Sequence, residues 1–214
     1  MLELGLKFTL AYLVGSVMGA LLIGRFRGGI DIRQLGSGNA GGTNALRTQG
    51  AGFAAGVMIV DVGKGILAVA LIPMLDLPMV GIDPSVDRAL LLHAVALAAI
   101  LGHVFPVWHG FNGGKGGATA AGLVCYLAPS LGAAIVGLWI AIVFFTGFVG
   151  LATISATLAG AIYLGVFVLP ERAPLFVFAC LVSALTLYTH RANIQRMWQG
   201  KESRFSRFFG IGSR

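Results

Sequence analysis

Charge is scarce in this chain. Only 11% of its 214 residues are Asp, Glu, Lys or Arg, whereas a soluble domain usually carries about a quarter. A water-exposed surface cannot be built from so little, and a mean hydropathy of +0.89 points the same way. Cysteine is almost absent. Cys125 and Cys180 sit inside apolar runs, where a thiol behaves as a small hydrophobe, so neither a disulfide framework nor a zinc site is indicated. Acidic residues number eight and form no Asp/Glu/His cluster with ligand spacing, which argues against a metal centre. No cofactor is called for. A basic leader with an A-x-A cleavage pattern is also lacking, so the first apolar run reads as a retained span.

What is plentiful is apolar sequence, 57% of the chain. Crossing a bilayer takes about 20 such residues. Apolar runs at residues 4–24, 51–75, 88–107, 117–128, 130–147, 149–169 and 174–189 describe an all-α integral membrane protein with seven transmembrane helices, forming one membrane domain. The run from Ala118 to Thr146 is too long for one ordinary crossing. Pro129 cannot sit in an undisturbed helix interior, so the chain is expected to turn there. The first loop carries Arg25, Arg27, Arg33 and Arg47. The tail, residues 190–214, sets Arg191, Arg196, Lys201, Arg204, Arg207 and Arg214 against a single carboxylate, Glu202. Basic loops stay in the cytoplasm. Seven crossings put both basic segments there, with the N-terminus outside and the C-terminus inside. The same charge could suggest nucleic acid, but the anionic inner leaflet already accounts for it, and Trp198, Phe205, Phe208 and Phe209 interleave with the cations as in an interfacial segment.

Three polar stretches interrupt the apolar runs. The first is G-S-G-N-A-G-G-T-N-A-L-R, Gly36 to Arg47. It matches G-x-G-x-x-G, yet the dinucleotide fold needs a preceding strand, and apolar helices offer none. The physics of an anion cradle survives without that fold: successive glycines expose backbone N–H groups and a following helix adds its positive end. Gly38, Gly41, Ser37, Asn39, Thr43 and Asn44 supply donors, and Arg47 can grip a phosphate bidentately. A flexible glycine linker would seldom mix so many amides with an arginine.

The second stretch is Gly102-His103-Val104-Phe105-Pro106, then Phe111-Asn112-Gly113-Gly114-Lys115-Gly116-Gly117-Ala118-Thr119. Its core is Walker-like, but His109 stands where the first glycine belongs and Gly116 replaces the magnesium-binding hydroxyl. The spacing argues against ATPase chemistry, while four glycines around Lys115 still make a compact cradle for phosphate. His103 and Thr119 are further candidates for it. The third stretch is His190-Arg191-Ala192-Asn193-Ile194-Gln195-Arg196 with Gly200-Lys201-Glu202, in which His190 and Asn193 share a helix face. Asp61 and Lys64 fall within the second span, three apart, where mutual neutralisation and substrate contact are both open.

In series, these three blocks resemble the signature blocks of the bacterial membrane acyltransferases that use acyl phosphate to acylate glycerol 3-phosphate. The resemblance runs through the whole chain, in order and with similar apolar lengths between blocks. Asn112 and the second glycine pair Gly116-Gly117 are small departures outside the working positions. It implies an inner-membrane enzyme of phospholipid synthesis with acyl phosphate and glycerol 3-phosphate as substrates and the active site on the cytoplasmic face. By block, the implied working residues are Ser37, Asn39, Thr43, Asn44, Arg47, His103, Lys115, His190 and Asn193. Ser37, Lys115, His190 and Asn193 are taken as catalytic. Gly38, Asn39, Gly41, Thr43, Asn44, Arg47, His103, Gly113, Gly114, Lys115, Gly116 and Thr119 are taken as phosphate-binding. No His is followed by an Asp five positions on, so the pattern of the acyl-CoA-using glycerolipid acyltransferases is missing. A transporter of phosphate or organic phosphates is the rival from another class; its expected inverted repeats with midplane helix breaks are not evident.

Overall fold

A computed structural model describes residues 1–205, so Arg207, Phe208, Phe209 and Arg214 of the basic tail lie outside the described residues. Among the described residues the fold is all-helical, and the chain divides into two compact units, Met1–Tyr126 and Leu127 onward. The first unit holds α1 (Leu2–Gly15), α2 (Gly19–Phe26), α3 (Gly42–Gln49), α4 (Ala51–Leu71), α5 (Arg88–Val104) and α6 (Gly117–Leu127). The second holds α7 (Pro129–Thr146), α8 (Val149–Phe167), α9 (Ala173–Thr189) and α10 (Arg191–Trp198).

Four helices are long and apolar enough to cross a membrane, or six if each of two bent pairs counts as one span. The bent pairs are α1 with α2 (41°) and α9 with α10 (55°). The apolar run expected over residues 4–24 is therefore a broken element, interrupted at Ser16–Met18. At about 1.5 Å per residue α6 is only about 16 Å long, roughly half the hydrocarbon thickness. The helix break near Pro129 is present. Ala128 leaves the helical region (φ −147°, ψ 77°) and Pro129 opens α7, the first-turn position where its missing N–H costs nothing.

Close backbone approach holds the first unit together. Gly15 of α1 lies against the Ala99 carbonyl of α5, and Gly102 of α5 against the Tyr12 carbonyl of α1; a Cβ at either glycine would clash with that oxygen. Small residues serve this purpose in membranes because dispersion, not water exclusion, drives helix association there. The break after Gly15 lets the two members of the Gly15–Gly19 pair serve different neighbours. Gly19 meets the Val57 carbonyl of α4, where an added Cβ would come within 2.7 Å. Away from the glycine loops, Glu3 and Lys7 are fully buried as an ion pair at 2.7 Å, and Arg88 closes the cluster on Glu3 at 2.8 Å. Within the second unit α8 packs against both α7 and α9. Ser183 donates to the Thr157 carbonyl at 3.0 Å, and Trp139 Nε1 to Thr153 Oγ1 at 3.1 Å.

Candidate active site

The first glycine stretch is a shaped loop. Ile32 and Ala40 are fully buried in a cluster with Met18, Ala45, Phe53 and Val57, which pins the loop at two points. Between them Gly36 (φ 57°) and Gly38 (φ 73°) occupy the left-handed region, which ordinary side chains avoid. Asn44, 1% exposed, reaches back from α3 to organise the turn. Its Oδ1 accepts from the Ser37 N–H at 3.0 Å, and its Nδ2 donates to the carbonyls of Ile32 (2.9 Å) and Leu35 (3.0 Å). Ser37 and Gly38 are exposed; Asn39, Gly41, Thr43 and Arg47 are half-buried. The loop ends on the N-terminus of α3, capped by Gly41 without a side-chain hydrogen bond.

The second glycine stretch lies against the end of α5. The Gly114 N–H donates to the His103 carbonyl at 3.1 Å. A Cβ on Gly113 would strike that same carbonyl, and one on Gly114 would strike His103 Nε2. Lys115 is half-buried, and Gly116 (φ 85°) leads into α6. The two loops are joined directly. The Arg33 guanidinium donates to the carbonyls of His109 (3.4 Å) and Asn112 (3.2 Å) while pairing with Asp31 at 2.8 Å. That guanidinium holds the Asp31 carboxyl below its usual range. Both loops therefore lie at one end of the first unit.

Beneath them is a buried polar cluster. Lys64 Nζ lies 3.0 Å from Asp61 Oδ1, 2.6 Å from the Val17 carbonyl and 2.9 Å from His103 Nδ1. Asp61 also accepts from the Gly19 N–H at 3.1 Å, and Thr119 donates to the Asp61 carbonyl at 2.9 Å. His103 is 2% exposed and Thr119 fully buried. Of the residues expected to touch phosphate, Asn44, His103 and Thr119 thus stand behind the loop surface with protein partners, because each has a backbone or ion-pair neighbour to satisfy first.

In the second unit the α9–α10 bend carries the third block. His190 is buried, with Nδ1 2.9 Å from the Thr186 carbonyl. If Nδ1 donates there, the neutral ring's lone pair is on Nε2. Asn193 packs against Gly150 of α8 and donates to Glu202 Oε1 at 2.6 Å; Arg196 Nε donates to Glu202 Oε2 at 2.6 Å. In the sequence Glu202 closes the third block and is the tail's countercharge. It is a carboxylate with a 5% exposed side chain that orients Asn193, and its separations of nine and six residues carry no helical periodicity that could have disclosed it.

A glycerol-3-phosphate acyltransferase family model matches residues 6–200. The chain belongs to that family. Among relatives of this acyltransferase, the glycerol-3-phosphate acyltransferase of Proteus mirabilis (strain HI4320) is 41% identical, covering 91% of this chain and 83% of that protein. The one from Chlorobium phaeobacteroides (strain BS1) is 36% identical over 92% of this chain and 94% of its own. Crystal structures of PlsY (YgiH), an integral membrane glycerol 3-phosphate acyltransferase, are similar as well. The glycerol 3-phosphate form has 33% identity and a TM-score of 0.80 over 94% of this chain and 95% of that one; a lysophosphatidic acid form has a TM-score of 0.78.

The acyltransferase's Asn44 offers a test of loop architecture separate from chemistry. Asn44→Ala strips the Ser37 N–H and two loop carbonyls of their shared partner, a loss of about 1–3 kcal/mol for each buried group left unsatisfied. The melting temperature in detergent falls by several degrees and the KM for glycerol 3-phosphate rises. An unchanged melting temperature with unchanged KM would show that the loop holds its form without this amide.

Proposed function

We propose that this enzyme transfers a fatty acyl group from acyl phosphate to the 1-hydroxyl of glycerol 3-phosphate, releasing phosphate and 1-acylglycerol 3-phosphate (lysophosphatidate). One observation carries the reading: two glycine loops, each running into a helix N-terminus, the first followed by Arg47 within α3 and the second bearing Lys115, are stitched together by Arg33. Two phosphates must be held side by side in this reaction. Backbone N–H groups, two positive helix ends and two side-chain cations offset their repulsion. Ser37, exposed on the first loop, and the backbone N–H groups beside it supply donors for the oxyanion that forms as the hydroxyl attacks the acyl carbonyl; Asn193 is a donor to test separately. Glycerol 3-phosphate and lysophosphatidic acid are bound in the PlsY structures named above, which supports the same acceptor and product here.

The proton of the attacking hydroxyl passes to the substrate's own phosphate. An acyl phosphate is already activated, so the protein's contribution is mainly positioning. His190 is the protein base to test beside it. A shallow apolar surface between α4 and α6, lined by Val62, Ile66, Ala121, Gly122, Cys125 and Tyr126, offers the acyl chain a place among apolar helices.

Seven crossings with the C-terminus and the catalytic loops in the cytoplasm follow from the basic first loop and tail. Counting α6 as a crossing places the second glycine loop partly within the bilayer, which is tolerated where protein or water surrounds the backbone. Asp61 and Lys64 are engaged with each other and with His103 and Val17, which favours mutual neutralisation over contact with a transported substrate.

The deciding experiment supplies purified enzyme in detergent with acyl phosphate and glycerol 3-phosphate and follows phosphate and lysophosphatidate. Absence of both products sinks the reading. Acyl-CoA of equal chain length yields little or no product, since the chain has neither a His–Asp pair five residues apart nor a loop large enough to cover a nucleotide. Comparable rates from the two donors would reject acyl phosphate as the donor.

A further inference from the structure

We propose that Lys64 locks His103 in the tautomer that carries its proton on Nε2, making His103 a fixed N–H donor beneath the Gly113-Gly114-Lys115 loop and a positioning residue, not an acid or base. The inference deepens the acyltransferase reading and rests on that reading only for the loop's role.

The argument is a count of donors. An ammonium has three N–H bonds and no lone pair. Those of Lys64 meet three acceptors: the Val17 carbonyl at 2.6 Å, Asp61 Oδ1 at 3.0 Å and His103 Nδ1 at 2.9 Å. The third contact is a hydrogen bond only if Nδ1 offers a lone pair, which puts the proton of a neutral ring on Nε2. Exchanging the roles would require lysine to surrender its proton to imidazole, and an alkylamine is much the stronger base. The Lys64–Asp61 ion pair with a neutral ring also keeps the buried cluster uncharged overall. Asp61 Oδ1 is 3.4 Å from Nδ1, the longer of the ring's two contacts there, and Asp61 Oδ2 has no hydrogen-bond partner. The carboxylate therefore steadies Lys64 before it steadies the ring.

The ring's other nitrogen faces the loop. Nε2 lies where a Cβ on Gly114 would sit, and the His103 carbonyl accepts the Gly114 N–H at 3.1 Å. His103 thus meets the loop through its backbone acceptor, and its ring packs with Nε2 against Gly114. Cations and dipoles fixed before reaction contribute most when their supports are rigid, and a ring whose tautomer cannot switch is such a support.

Nitrogen NMR of the purified enzyme labelled with ¹⁵N-imidazole histidine reads the tautomer without any turnover, with His103→Gln used to assign the signal. The expected spectrum shows a protonated Nε2 and an unprotonated Nδ1. In Lys64→Met the proton moves to Nδ1, where Asp61 accepts it. A protonated Nδ1 in the wild-type enzyme overturns the proposal, whatever the activity. Kinetics provide the second arm. His103→Gln can place an N–H donor near the Nε2 position and keeps kcat within about tenfold, whereas His103→Asn cannot, and loses about a hundredfold, the range for one buried donor left out. Equal losses in both variants would reject the donor role even with the tautomer as stated. Wild-type enzyme with the expected spectrum and no acyl transfer would sink the functional reading alone.

Discussion

Replacing Lys115 by alanine lowers kcat/KM for acyl transfer by at least about a hundredfold while the protein stays folded. The loop around it takes its form from backbone contacts: Gly113 and Gly114 lie on the His103 carbonyl and ring, and Gly116 adopts a φ of 85°. Side-chain truncation at Lys115 leaves those contacts in place. What is lost is the single side-chain cation of the second loop, and with it charged hydrogen bonds of about 1.5–3 kcal/mol each. Lys115→Arg keeps the charge and recovers part of the rate, but not all, because a planar guanidinium does not replace a compact ammonium among packed glycines. Both variants are measured at limiting and at saturating glycerol 3-phosphate, beside melting curves. A KM effect alone assigns Lys115 to ground-state binding; a fall in kcat assigns it to charge that develops during transfer. Near-normal turnover of Lys115→Ala under both conditions removes the lysine from the site.

The parts of this enzyme that were legible in its sequence are those with a period or a composition. Apolar length marks membrane helices, glycine with amides and a cation marks an anion loop, and the three-residue spacing of Asp61 and Lys64 marks a helix-borne pair, realised at 3.0 Å. Pro129 marked a break because a missing N–H is a local fact. Tertiary pairing leaves no such trace. The break at Ser16–Met18 follows a Gly15-Ser16 pair, a local kink signal, but nothing local shows that the Val17 carbonyl is satisfied by Lys64, 47 residues away. Asn44, His103 and Thr119 read as phosphate-binding candidates because they are polar residues in glycine-rich blocks; the fold adds that each has a protein partner in the backbone or in a buried charge. Arg33 read as one more positive-inside arginine. Its bonds to His109 and Asn112, 76 and 79 residues on, join the two loops and could not be inferred from either.

That join leads to the second large effect, which is all-or-none. Cysteines placed singly at Gln34 and Asn112, in a background lacking Cys125 and Cys180, resist a membrane-impermeant thiol reagent in intact cells and label fully once the membrane is opened. Both positions are exposed and flank the Arg33 bridge, whereas Gly42 is unsuitable because its Cβ would lie 2.7 Å from Met58 Sδ. A third cysteine at Ser203, exposed in the basic tail, behaves the same way. In the proposed topology Arg25, Arg27, Arg33 and Arg47 direct the first loop to the cytoplasm, and the tail arginines direct the C-terminus there independently. The second loop has only Lys115 to direct it, so its placement depends on the Arg33 contacts, not on its own charge. An acceptor dissolved in the cytoplasm reaches both loops only under this arrangement. Labelling at Asn112 alone in intact cells means that the Arg33 bridge does not form in the membrane, and two phosphates could not then be held by the two loops together.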